Sequence, residues 1–106
     1  MKIAFVEPHL KLYGGIRRVL ELSNRLVGLG EDVTLYHPSG TPCDWMKCEA
    51  KIRPLSELSV ERFDAVLFNN PPDYKQVRKA NAAVKIFYIL GLYDKDKLKR
   101  FNPKIF

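Results

Sequence analysis

The stretch EPHLKLYGGIRRVLEL (residues 7–22) places two adjacent glycines immediately before an amphipathic segment. Ahead of it, KIAFVE (residues 2–7) is a short run rich in apolar, β-branched and aromatic residues, which predicts a strand. Behind the glycines the apolar residues recur with helical period. A strand, a glycine-containing loop and a helix start, in this order, are typical of a corner that binds an anion.

The segment behind the glycine pair predicts an amphipathic helix with one apolar face. That face consists of Ile16, Val19, Leu20, Ser23, Leu26 and Val27, and the opposite face of Arg17, Arg18, Glu21, Asn24 and Arg25. Gly28 and Gly30 are expected to end the helix, which is the usual role of glycine at a helix C-terminus.

The rest of the chain predicts strands that alternate with helical segments. We expect strands at 32–37, 50–54, 64–70 and 83–90. A loop is expected at 38–48 and an extended turn at Pro71 and Pro72. The expected helical segments are one or two turns at 56–63 started by Ser56, a helix from a cap at Asp73 to about Ala83, and a short charged helix at 94–101. The strands are too apolar for a sheet with one wet face. The pattern therefore predicts an α/β domain with a parallel sheet and helices on both sides.

Length and charge restrict the classes of protein. A chain of 106 residues forms one small domain at most, and its net charge of +6 favours anionic partners, although a solvated basic surface is the better explanation of most of these charges. No apolar run reaches the length of a membrane span, and Glu7 interrupts the first apolar run before it could serve as a signal peptide. We therefore expect a cytoplasmic protein in which Cys43 and Cys48 are reduced.

Gly14 and Gly15 have two interpretations. They could bring backbone amides at the start of a helix close to a phosphate, or they could serve only a turn that needs positive φ. The sequence lacks both the G-x-G-x-x-G pattern of dinucleotide-binding domains and the phosphate loop that ends in G-K-[ST]. This weighs against nicotinamide cofactors and against hydrolysis of nucleoside triphosphates.

The N-terminal 40 residues resemble the opening of family 4 glycosyltransferases, which have the two-domain GT-B architecture. The matching residues are Gly14, Gly15, Arg18, Val19, Glu21, Leu22, Leu26, Gly30, Asp32, Val33 and Thr34. DAVLFNNPPDY and AVKIFYIL, further along, fall where that family has its fourth and fifth strands. The resemblance implies a Rossmann-like three-layer sandwich whose five-stranded parallel sheet has the order 3-2-1-4-5.

The resemblance also implies a function. Residues 1–106 would be the N-terminal, acceptor-side domain of a retaining glycosyltransferase, a fragment that lacks the C-terminal donor-binding domain and is inactive alone. The parent enzyme would transfer a sugar from a nucleotide-diphosphate sugar to a glycan or a lipid-linked acceptor, as in the biosynthesis of cell-envelope polysaccharides. The alternative is a stand-alone flavodoxin-like binding or interaction domain without catalysis.

Particular residues receive roles from this resemblance. Gly14, Gly15 and Arg18 would bind the donor phosphate, and Glu7, His9, Asn69 and Asn70 would line the acceptor cleft. The simpler interpretation of His9 is an ordinary loop residue. Glu7 could instead cap a neighbouring amide, and the two asparagines could be turn formers before Pro71. No catalytic base is assigned.

We expect neither a metal nor a cofactor, with the nucleotide sugar acting as substrate. His37, Cys43 and Cys48 do not have the spacing of a zinc site, and a fourth ligand is missing. The basic residues Lys95, Lys97, Lys99, Arg100 and Lys104 could support peripheral contact with the inner face of the membrane or form a solvated tail. Nucleic acid is not expected as a partner, because no recognition motif accompanies the charge.

Overall fold

The computed structural model describes residues 1–12 and 14–87. They form a five-stranded, wholly parallel sheet in the order β3-β2-β1-β4-β5. The strands are β1 (Lys2–Val6), β2 (Asp32–His37), β3 (Lys51–Pro54), β4 (Arg62–Phe68) and β5 (Asn81–Phe87). The predicted Rossmann-like α/β fold and its strand order are confirmed.

The two faces of the sheet carry separate hydrophobic cores because successive side chains of a strand point to opposite faces. Ile3 and Phe5 of β1 belong to one core, and Ala4 and Val6 belong to the other. All four side chains are buried. A central strand that is apolar on both faces is what a sheet covered on both sides requires.

Helix α1 (Gly14–Gly28) covers the face of Ile3 and Phe5. Ile16, Val19 and Leu20 are buried in that core, as their spacing predicts, and Ser23 is buried beside them with its hydroxyl donating to the Leu20 carbonyl at 2.9 Å. The loop between β2 and β3 packs on the same face through its half-buried residues Cys43, Trp45, Met46 and Cys48. Both thiols are free.

A 3₁₀ helix (Leu55–Val60) contributes Leu58 to the core on the opposite face. The expected cap at Ser56 is wrong, because the helix begins one residue earlier, directly after the extended Pro54, and has no capping hydrogen bond from a side chain. β4 begins at Arg62, two residues before the predicted start. Its first residue pairs with Asn81 of β5, so the strand partner rather than the local pattern sets this boundary.

The predicted helix from Asp73 to about Ala83 is wrong in length. The turn at the two prolines is not extended but a 3₁₀ turn (Pro71–Asp73), which leads into the four-residue helix α2 (Tyr74–Val77). Asp73 has helical backbone angles and makes no capping hydrogen bond, whereas a capping residue is extended. The helix ends early because β5 begins at Asn81 and pairs with β4 along its length.

β5 was predicted to span residues 83–90, and its described part starts two residues earlier. Residues 88–90, Gly91, the charged segment 94–101 and the basic residues from Lys95 to Lys104 lie outside the described part of the chain. Among the helices that the structure describes, none is long and apolar enough to cross a membrane.

Candidate functional site

A cleft of about 220 Å³ opens at the carboxyl ends of β1 and β4. These two strands are neighbours in the sheet. After β1 the chain forms β2 and β3 on one side of β1, and then crosses over to form β4 on the other side. The strand order therefore reverses between them. Open parallel sheets bind ligands at such a switch point, outside the carboxyl ends of the strands.

The cleft gathers most of the residues that the sequence singled out. Its lining consists of Glu7, Pro8, His9, Gly15, Ile16, Asn69 and Asn70. Four of these were predicted for the acceptor side and one for the donor phosphate. Pro8 and Ile16 were not predicted as lining residues, because Pro8 carries no polar side chain and Ile16 was assigned to the core.

Glu7 and Asn69 meet because the strands that precede them are in register. Val6 of β1 lies opposite Phe68 of β4, so the next residue of each strand emerges at the same point of the sheet edge. Glu7 is fully buried, and its backbone N–H donates to the Tyr36 carbonyl at 2.9 Å. Asn69 is 8% exposed. A carboxyl and a carboxamide side chain thus line one cleft, each directly after one of two paired strands.

His9 lies in the loop that follows β1. The backbone N–H of Lys11 donates to its Nδ1 at 3.1 Å, which makes Nε2–H the donor of the neutral ring. Burial, and then the positive charges of Lys11 and His37, lower the pKa of His9 below its ordinary value. The neutral imidazole can therefore donate a hydrogen bond to a ligand oxygen.

Asn70 connects the cleft to the turn before α2. Its carbonyl accepts a hydrogen bond from the Asp73 N–H at 3.0 Å, and its side chain is hydrogen-bonded to the Asp73 carboxyl. Burial raises the pKa of Asp73 to about 6, and the hydrogen bond from Asn70 opposes this shift. Asp73 is therefore a residue that supports the cleft, whereas the sequence suggested only a helix cap.

The glycine pair forms the first two residues of α1 rather than a turn ahead of it. Among the described residues, Gly30 and Gly40 are the glycines with positive φ, so a left-handed conformation does not explain Gly15. The first turn of α1 contains no acidic side chain. The positive end of its dipole therefore has no carboxylate of its own helix to neutralise it, which suits an anion.

The structure does not place Arg18 in the cleft. Its exposed side chain lines a shallow groove on the outer side of α1, together with Glu21, Leu22, Asn24, Arg25 and Met46. The adjacent Arg17 pairs with Glu21 across one helical turn at 3.0 Å. Neither arginine belongs to the cleft lining, because helical spacing turns their side chains away from the apolar face that carries Ile16.

Metal ligands were not predicted, and the described residues contain no group of three or more histidine, cysteine, aspartate or glutamate side chains that could hold an ion. Trp45 contributes to the site indirectly. Its Nε1–H donates to the Leu10 carbonyl at 2.7 Å and ties the loop of His9 to the loop after β2. The N–H of a half-buried indole usually finds such a partner, which the sequence alone could not identify.

Comparisons with protein-family models, with curated proteins and with solved structures found no match to this chain.

Proposed function

We propose that this chain is the N-terminal, acceptor-side domain of a GT-B glycosyltransferase of the family 4 type. In this proposal the start of α1 receives the diphosphate of a nucleotide sugar, and the cleft receives the hydroxyl groups of a sugar acceptor. The proposal rests on the resemblance of the first 40 residues together with the position of the cleft.

One observation carries the proposal most strongly. Glu7, His9, Gly15 and Asn69 come from three separate parts of the chain and line one cleft at the switch point of the sheet. Asparagine can donate and accept hydrogen bonds and a carboxylate can accept them, which suits the hydroxyl groups of a sugar. The amides at the start of α1 suit the negative charge of a leaving diphosphate.

Catalysis is assigned to the complete two-domain enzyme and not to residues 1–106 alone. The resemblance implies that most donor contacts lie in a second domain, which would also complete the site around the anomeric carbon. We propose transfer with retention of configuration and without a metal or cofactor. The present chain supplies orientation and phosphate binding, and no side chain of the cleft is assigned as a general base.

Binding of nucleotide diphosphates to the 106-residue chain tests the proposal. In a titration followed by amide NMR, UDP and UDP-glucose should shift the amide signals of Gly15, Ile16 and Asn69. The dissociation constant should be about 1 mM or weaker, which corresponds to about 4 kcal/mol, because the chain offers only part of the donor contacts. Free glucose should shift the signals of Asn69 and Asn70 but not that of Gly15.

Two matched variants provide the control. Gly15→Val adds a branched side chain at the start of α1 inside the cleft, and Gly28→Val adds the same side chain at the exposed end of the helix, where no atom lies within 4 Å of a new Cβ. Gly15→Val should weaken UDP binding at least tenfold and Gly28→Val should not. Equal affinities in the two variants would contradict the donor role of this helix start.

A second candidate is an interaction domain without catalysis. It is favoured by Val84 and Ile86 of β5, which are 52% and 39% exposed and lie on the same face of the strand. The strand order 3-2-1-4-5 differs from the flavodoxin order 2-1-3-4-5, which weighs against the flavodoxin-like form of this candidate. Sedimentation at increasing concentration, with and without UDP, separates the candidates. Self-association without nucleotide binding would favour the interaction domain.

A further inference from the structure

A second pocket, of about 240 Å³, shares His9 with the cleft and extends to the carboxyl end of β2. We call it the histidine pocket. Its polar lining residues are His9, Lys11, His37, Ser39, Thr41 and Asp44. The function proposed above uses none of them except His9.

His37 is buried and hydrogen-bonded at the end of β2. It is 4% exposed, its Nε2–H donates to the Thr41 carbonyl at 2.8 Å, and its Nδ1 lies 3.4 Å from the Ser39 hydroxyl. The hydroxyls of Ser39 and Thr41 are 2.9 Å apart. His37 is therefore a positioning residue that holds two hydroxyl groups at the rim of the pocket.

Lys11 places a positive charge at the same pocket. Its exposed side chain forms no salt bridge with any described residue, not even with Asp44 on the same lining. Its backbone N–H holds His9 in the tautomer that donates from Nε2. An ammonium group, an imidazole N–H and two hydroxyls thus converge from two loops.

Polar and charged side chains lie on two sides of His9. Lys11, His37, Ser39, Thr41 and Asp44 line its pocket side, and Glu7 and Asn69 line its cleft side. Burial comes first among the causes that lower its pKa, followed by the positive charges of Lys11 and His37. An anion held between these groups would counteract the positive charges and raise the pKa of His9.

We propose that the histidine pocket binds a phosphate group through Lys11, His9, Ser39 and Thr41. A tetrahedral oxyanion has several acceptor oxygens and can accept from donors on two loops at once, whereas a planar carboxylate offers two oxygens. The volume also accommodates a small organic group beside the phosphate. Asp44 can accept from a hydroxyl of that group. This favours the phosphate ester of a sugar or polyol over free phosphate.

The two histidines are the only ones in the chain, and both line this pocket, so their ring C–H signals report on it directly. In NMR titrations at constant ionic strength, inorganic phosphate and glycerol 3-phosphate should each shift both signals in a saturable manner. Saturating phosphate should raise the pKa of His9. Sodium chloride should neither shift these signals in a saturable manner nor raise the pKa of His9. Tighter binding of the ester would assign a phosphorylated metabolite, and equal binding would assign free phosphate.

Charge variants test whether the phosphate binds in the histidine pocket. Lys11→Gln should weaken phosphate binding at least fivefold, whereas Lys79→Gln, the same charge change at an exposed position outside the pocket, should leave it unchanged. Asp44→Asn should strengthen binding of inorganic phosphate about two- to threefold by removing a like charge. Equal effects of the two lysine variants, weaker binding after Asp44→Asn, or the same shifts with chloride would each overturn the proposal. None of these outcomes depends on nucleotide-sugar binding, which is followed at Gly15 and Asn69.

Discussion

At the scale of single residues, position 40 requires a glycine, whereas position 28 has room for a side chain. Gly40 follows β2 with φ at 69°, and a Cβ at this position would lie 2.5 Å from the backbone nitrogen of Pro54. Gly28 is the last residue of α1, and a Cβ there would meet no atom within 4 Å. The close approach between the turn after β2 and Pro54 at the end of β3 therefore depends on a glycine at position 40.

We expect Gly40→Ala to lower the free energy of unfolding by about 2–4 kcal/mol, because it combines a strained backbone with a backbone clash. Gly28→Ala should change it by less than about 1 kcal/mol, in the stabilising direction, because alanine is the better helix former. Urea unfolding followed by circular dichroism measures both values. Equal stability of the two variants would show that residue 40 can move away from Pro54.

The raised pKa of Asp73 predicts that the stability of the protein depends on pH. Burial raises its pKa from 3.8 to about 6, so the folded state retains a proton that the unfolded state has already released between these values. The stability contributed by this group therefore falls as the pH rises from about 4 to about 6 and stays low above that range.

We expect Asp73→Asn to stabilise the protein by about 1 kcal/mol at pH 7, a value reduced for solvent screening because the side chain is only partly buried. Asparagine keeps an oxygen that can accept from Asn70 and carries no charge that burial would penalise. The difference should disappear below about pH 4, where the aspartate is protonated in both states. Thermal unfolding at several pH values tests this, and a difference that does not vary with pH would contradict it.

At the scale of elements, α1 is joined to the loop after β2 by one polar side chain. Asn24 donates from Nδ2 to the Lys47 carbonyl at 2.9 Å and accepts from the Glu49 N–H at 2.8 Å. Helical spacing placed Asn24 on the face opposite the apolar residues. The pattern identified the face correctly but could not show that a distant loop crosses it.

We expect Asn24→Ala to lower the free energy of unfolding by about 1–3 kcal/mol, because two backbone groups of the loop lose their partner. Arg25→Ala, an exposed change on the next residue of the helix, should cost less than about 0.5 kcal/mol. Amide hydrogen exchange should be faster at Glu49 in Asn24→Ala alone. Unchanged exchange at Glu49 would mean that the hydrogen bond does not hold the loop.

At the scale of the whole molecule, the sheet is buried unevenly. The central strands carry a core on each face, whereas four consecutive residues of β5, from Ala83 to Ile86, are exposed. Leu20 of α1 is fully buried, and Val84 of β5 is 52% exposed. Stability should therefore be concentrated around β1, β2 and β4.

We expect Leu20→Ala to lower the free energy of unfolding by about 2–5 kcal/mol, because it removes buried apolar atoms and leaves a cavity. Val84→Ala should cost less than about 1 kcal/mol, because half of its side chain already contacts solvent. Chemical denaturation of both variants provides the comparison. Similar losses in the two variants would show that the face of Val84 is covered in solution.

The sequence alone determined the order of the elements, the helical face of α1, the Rossmann-like class and most of the cleft. Strands, amphipathic helices and glycine positions follow from neighbouring residues, and parallel strands bring Glu7 and Asn69 to the same edge of the sheet. Only the tertiary structure decided the start of the helix before β4, the shortness of the helix before β5, the position of Arg18 outside the cleft, and the pocket between His9 and His37. These depend on which distant segments pair and on where a loop crosses a helix, and no local pattern encodes such contacts.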